Sequence, residues 1–212
     1  MELVGRMAEF GTTIFAEMSA LALTTGSINL GQGFPDTDGP AEIIEAAAAA
    51  IRSGHNQYPP GPGVPELRQA ISEHQQRHYG LEYDPNAEVL VTAGATEAIA
   101  ASLLALVETG DEVVLFEPYY DSYAACVALA GARRRTVTIE RTGDSWGYEP
   151  AALERAVTPN TKALVLNTPH NPTGKVFTRD ELTHIADLAI QHDLVVISDE
   201  VYEHLIFDGR PH

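Results

Sequence analysis

Positive charge is scarce in this chain. Its 13 lysines and arginines stand against 30 aspartates and glutamates, for a formal net charge of −17. Lysine itself occurs only at Lys162 and Lys175. An acidic chain repels phosphate backbones, so nucleic acid is excluded as an expected partner. Cysteine is almost absent. Cys126 stands alone, which rules out an internal disulfide and fits a reducing compartment. Its neighbours Ala124, Ala125, Val127 and Leu129 mark it as a small buried hydrophobe rather than a nucleophile. No apolar run reaches the roughly 18 residues of a membrane span. Residues 1–10 carry Glu2 and Glu9 and no apolar core of signal-peptide length. The expected location is therefore the cytoplasm, away from the membrane.

What is present is globular. A chain of 212 residues, 44% hydrophobic and 20% charged, can bury a real core. Residues 12–25 read as a short helix with Ile14, Phe15, Met18, Leu21 and Ala22 on one face. Pro40 can open a second helix that carries the alanines at 46–50 and stops near Gly54. A third runs from Pro65 to about Tyr79.

From Glu88 the pattern changes. Short β-branched runs at 89–92, 112–116, 134–139, 163–167 and 194–198 alternate with helical patterns at 96–108, 119–130, 149–157 and 178–192. Apolar runs without polar alternation mark strands covered on both faces. Strands separated by helices of this length imply crossovers and a mostly parallel sheet. The expected fold is α/β. Residues 1–40 would form an arm and the start of a smaller lobe, and 41–212 a large α/β domain. In such sheets ligands collect at the carboxyl ends of strands.

Chemistry-bearing residues cluster at those ends. Gly94, Ala95 and Thr96 follow one run and open a helix, where backbone N–H groups and the helix dipole suit a phosphate. A plain helix start capped by Thr96 would look the same. Tyr119 and Tyr120 follow the next run, and an aromatic there either stacks on a flat ring or starts a helix from the core. The stretch Asn167-Thr168-Pro169-His170-Asn171-Pro172-Thr173-Gly174-Lys175 fixes a turn by its prolines. Asn171 can donate from it to a phenolate oxygen, or the asparagines can satisfy their own backbone. Asp199 ends the apolar run from Leu194 to Ile197, and a carboxylate there needs a partner. A protonated heterocyclic nitrogen would serve, and so would the cap of a following helix. Tyr202, three residues on, can turn back to the same place. The glycines of Gly31-Gln32-Gly33-Phe34-Pro35-Asp36 either present amides to a substrate carboxylate or form a plain loop.

Taken together, these segments resemble the class I and II aminotransferases, enzymes of the aspartate aminotransferase fold that use pyridoxal 5'-phosphate (PLP). The likeness is to the branch with kynurenine and N-succinyldiaminopimelate aminotransferases, and it covers nearly the whole chain. The carrying residues are 30–36, 58–63, 94–97, 117–120, 167–175 and 198–202. The resemblance implies a PLP-transferase large domain with an N-terminal arm, a homodimer, and an amino acid and a 2-oxo acid as substrates. It implies that Gly94, Ala95 and Thr96 hold the cofactor phosphate and that Tyr120 stacks on the pyridine ring, with Tyr119 as second choice. Asn171 and Tyr202 would donate to the ring's phenolate oxygen, and Asp199 would pair with its nitrogen. Gly33 would meet the substrate carboxylate. Tyr58, in the turn Tyr58-Pro59-Pro60-Gly61-Pro62-Gly63, would reach the phosphate of a neighbouring subunit.

Transamination also needs a lysine that forms a Schiff base with PLP and then moves the proton as general base. In the family it follows the aspartate-tyrosine segment by a few tens of residues, and the sequence ends at His212 before that point. Lys162 precedes a strand at the end away from the site. Lys175 belongs to the asparagine-proline turn. Both read as solvated surface amines. The expectation is a chain cut before the Schiff-base lysine and inactive by itself, with an open sheet edge prone to aggregation. A carbon–sulfur β-lyase on the same scaffold and a non-catalytic remnant remain as alternatives.

Overall fold

The computed structural model describes residues 4–33, 35 and 37–212. The chain forms two compact units, one made of Met1–Gly11 with Ala93–His212 and the other of Thr12–Thr92.

The unit Thr12–Thr92 holds three helices, α1 (Ile14–Thr25), α2 (Ala41–Arg52) and α3 (Pro65–Tyr79). Thr13 caps α1 by accepting from the Ala16 amide at 3.2 Å, and Gly26 closes it with a left-handed φ of 66°. The proline-glycine turn before α3 is tied by a Gly63 N–H to Pro60 carbonyl bond of 2.8 Å, and the Val91 amide donates to Pro62 at 3.0 Å. Gly63 has φ 100°, and a side chain there would run into Val91. The run 89–92, expected as a strand, is not one. Its Val91 meets this turn through backbone and side chain, while Leu90 is exposed.

The other unit carries the sheet. Its elements are α4 (Ala95–Leu106), β1 (Glu112–Glu117), α5 (Asp121–Leu129), β2 (Arg133–Thr138), β3 (Glu140–Thr142), β4 (Ser145–Gly147), α6 (Pro150–Ala156), β5 (Thr161–Asn167), α7 (Arg179–His192) and β6 (Val195–Asp199). The main sheet runs β2-β1-β5-β6, parallel throughout. Side chains alternate across β1, so one strand feeds two cores. Val113 and Leu115 pack with Ile99 and Leu103 of α4 and with Tyr123, Cys126 and Val127 of α5. Val114 and Phe116 pack with Leu153 of α6, Phe177, and Ile185 and Leu188 of α7. Cys126 is buried as its neighbours suggest, and burial pushes its thiol pKa up.

Covering on both faces holds for β1 and β5 but not for the edges. Along β2 only Val137 is buried, and Arg133, Arg134 and Arg135 face outward. Along β6 Val195 and Val196 are exposed. An apolar run alone does not distinguish a central strand from an edge. The β3–β4 hairpin around Gly143-Asp144 was not expected, because three-residue strands carry too little pattern to read. Among the described residues no helix is long and apolar enough to cross a membrane.

Candidate active site

β1 connects through α5 to β2 on one side, while β5 pairs with β1 on the other, so the strand order reverses between β1 and β5. Ligands of open α/β sheets bind outside the carboxyl ends of strands at such a switch point. A cavity of about 230 Å³ lies there, lined by Ala95, Thr96, Ile99, Tyr120, Tyr123, Asn167, Asn171, Asp199, Val201 and Tyr202.

Each wall follows from a local feature. Gly94 takes φ 87° and ψ 167°, a backbone that side chains rarely adopt, and no side chain caps α4. Thr96 therefore lies inside the helix and is not its cap. Amides in the first turn of a helix have no intrahelical acceptor, and Ala95 and Thr96 of that turn line the cavity. The carboxylate of Glu97 accepts from the Ala93 amide and steadies the turn. Both Tyr119 and Tyr120 pack against the core, but only Tyr120, at the N-cap of α5, lines the cavity.

The turn after β5 is held by Asn167. Its Oδ1 accepts from the Asn171 amide at 2.7 Å, and its Nδ2 donates to the Asp199 carbonyl at 2.9 Å. The first asparagine thus satisfies backbone and the second does not. Asn171 points its amide nitrogen at the Tyr202 hydroxyl, 3.4 Å away. Behind them His170 shares a 2.8 Å bond between Nδ1 and the Thr173 hydroxyl. Burial, helped by nearby Lys175 and opposed by a bond to the Phe116 carbonyl, lowers its pKa to about 4.

Asp199 pairs in register with Asn167 across β5 and β6. No helix follows it. Its Oδ1 accepts from the Val201 amide at 3.2 Å, closing a turn that returns Tyr202 to the cavity. Its Oδ2 accepts from the Tyr123 hydroxyl at 2.6 Å. Burial first, and this bond second, hold the Tyr123 phenol pKa far above its ordinary value.

Six of the nine candidates thus line one cavity: Ala95, Thr96, Tyr120, Asn171, Asp199 and Tyr202. Gly94 stands beside them as the N-cap of α4. Gly33 and Tyr58 belong to the unit Thr12–Thr92 and are exposed. Phe34 and Asp36 of the glycine loop lie outside the described residues. Tyr123 and Asn167 carry no role in the sequence reading, although Asn167 opens the quoted asparagine-proline turn and Tyr123 falls in the helical pattern 119–130. A signal existed for Tyr123, since it stands three residues after Tyr120 on the same helix face.

The two lysines part company. Lys162 is exposed. Lys175, expected as a solvated amine, is instead buried, because its ammonium is fully bonded to the Trp146 carbonyl and the Glu181 carboxylate.

The sequence model of the aminotransferase class I and II family matches residues 25–211. The chain belongs to this family. Its members are PLP enzymes, and the aspartate aminotransferase fold recurs among the solved structures it resembles. A probable N-succinyldiaminopimelate aminotransferase of Mycobacterium tuberculosis is 57% identical over 99% of this chain. The methionine aminotransferase of Escherichia coli is 44% identical over 98% of it. In both cases the match takes up 53% of the relative, so this aminotransferase-family chain spans about half the length of these curated relatives. The solved N-succinyldiaminopimelate aminotransferase of M. tuberculosis superposes with a TM-score of 0.96 and 57% identity, over all of this chain and 55% of that one.

Proposed function

We propose that this chain supplies the PLP-binding part of an aminotransferase that moves an amino group between an amino acid and a 2-oxo acid. One observation carries the reading: donors for a phosphate, an aromatic face, two phenolate donors and a carboxylate converge on one cavity at the switch point of the sheet. The donor set suits PLP part by part. Ala95 and Thr96, with Gly94 leaving room, offer amides and a hydroxyl to the phosphate. Tyr120 offers a face to the ring. Asn171 and Tyr202 donate to its phenolate oxygen. Asp199 accepts from its protonated nitrogen. When bound, PLP supplies the electron sink that amino-group transfer requires, and the Asp199 pairing keeps that sink protonated.

On the same reading residues 1–40 are the arm and the start of the small domain, and 41–212 belong to the PLP-binding domain. Gly33 meets the substrate carboxylate. Tyr58 serves the phosphate site of a second copy, so the working protein is a homodimer in the cytoplasm. The names of the relatives span N-succinyldiaminopimelate, methionine and kynurenine. A scaffold common to all three does not select the substrate side chain.

Residues 1–212 by themselves bring no lysine to the cavity, since Lys162 is exposed on the first residues of β5 and Lys175 is locked to Glu181. They hold PLP weakly and do not transaminate. The test is to add PLP to the purified 212 residues, reduce with borohydride, digest and map adducts, with amine transfer and β-elimination assayed alongside. Saturable PLP binding with no specific adduct and no turnover supports the reading. A pyridoxyl group on Lys162 or Lys175 with measurable amine transfer overturns it, and β-elimination in place of transfer assigns the lyase.

A further inference from the structure

Tyr123 is 3% exposed, and its hydroxyl makes a 2.6 Å bond to the carboxylate assigned to the cofactor nitrogen. The Asp199 main chain is held independently, because its carbonyl accepts from the Asn167 side chain at 2.9 Å and from the Thr168 amide at 3.1 Å. The side chain is a different matter. The last torsion of an aspartate is broad, so the single 3.2 Å bond from the Val201 amide to Oδ1 leaves the carboxylate plane free to turn. A second bond, to Oδ2 from a ring that cannot move, removes that freedom. Tyr123 is such a ring, since it is packed in the core with Ile99, Leu103, Val127 and Val165.

We propose that Tyr123 is a positioning residue that fixes the rotamer of Asp199 and so aims its carboxylate at the ring nitrogen of the cofactor. This rests on the role given to Asp199 above. Each carboxylate oxygen has two lone-pair directions, so the bond from Tyr123 leaves Asp199 able to accept again. The bond to an anion is of the stronger, charge-assisted kind. Burial keeps the phenol protonated, so Tyr123 stays a donor. The same ring meets Tyr120 edge-on, with centroids 5.9 Å apart and planes at 82°. One buried side chain thereby sets both the carboxylate at the edge of the ring and the aromatic that faces it.

The test is a double-mutant cycle of Tyr123→Phe and Asp199→Ala on the protein loaded with PLP labelled with ¹⁵N in the ring. PLP affinity is read by absorbance titration and ring protonation by the ¹⁵N shift. Asp199→Ala moves the nitrogen signal from the protonated to the neutral position. Tyr123→Phe, which keeps the ring and loses only the hydroxyl, weakens PLP about tenfold and moves the signal part of the way. Added to Asp199→Ala, it changes neither readout. Equal effects of Tyr123→Phe in both backgrounds indicate packing alone and overturn the proposal, as does no effect in either. A nitrogen signal unmoved by Asp199→Ala overturns the Asp199 role itself, and the proposal with it. Should Tyr123→Phe fail to fold, the parent protein still decides. The Tyr123 hydroxyl proton appears as a protected downfield resonance that Asp199→Ala abolishes, and its absence from the parent overturns the proposal.

Discussion

The buried ammonium of Lys175 lies 2.7 and 2.9 Å from the two carboxylate oxygens of Glu181 and does not line the candidate site. Glu181 is also the third residue of α7 and completes a capping box with Thr178. Lys175 donates its third proton to the Trp146 carbonyl at 2.8 Å and stands 4.9 Å from the centre of the Phe177 ring. One buried cation therefore joins the asparagine-proline turn, the β3–β4 hairpin and the start of a helix.

Removing that cation leaves Glu181 half-buried without its counter-charge. Lys175→Met is expected to destabilise the protein by about 3 kcal/mol, the cost of breaking a buried pair from one side. Chemical denaturation measures it. A loss below about 1 kcal/mol would show that the pair behaves like an exposed one.

His170 predicts a pH dependence. Its folded pKa is lowered to about 4, while the unfolded chain has the ordinary histidine value near 6.5. Between those values the unfolded state binds more protons, so stability is fully present above about pH 6.5 and is lost as pH falls toward 4. The loss amounts to roughly 3 kcal/mol over that window. His170→Gln removes the titration, and its melting temperature should fall less steeply than that of the parent between pH 6.5 and 4. Parallel profiles would refute the assignment.

Much of this was legible in the sequence, and the failures have physical causes. β1 and β5 were readable because both of their faces are covered, which forces unbroken apolar runs. The convergence of Asn171, Asp199 and Tyr202 on one cavity was readable because each follows a strand, where polar residues need a reason, and the place of Gly94 because it opens a helix. Tyr123 was missed despite its spacing from Tyr120, because its bond to Asp199 joins residues 76 apart and its ring reads as core. Lys175 misled because nothing in its neighbours shows that Trp146 and Glu181 close over it. The run 89–92 has strand composition, but pairing is a property of the fold and not of the segment.

Gly94 is expected to matter for binding more than for folding. A side chain there faces open space in the absence of ligand, so the cost to stability is the strain of φ 87°. With phosphate at the helix start the same side chain blocks the approach. Gly94→Val should therefore weaken PLP by tenfold or more while lowering unfolding free energy by about 1–3 kcal/mol. Absorbance titration of parent and variant checks this, and equal affinity would contradict a phosphate site at α4.

The cavity at the carboxyl ends of β1, β5 and β6 is proposed as the PLP site, and a crystal structure of the protein grown with PLP is the decisive test. Expected there are the phosphate against the amides of Ala95 and Thr96, the ring facing Tyr120, its phenolate oxygen between Asn171 and Tyr202, and its nitrogen within hydrogen-bond distance of Asp199. PLP bound elsewhere, or placed here with its nitrogen turned away from Asp199, would contradict it.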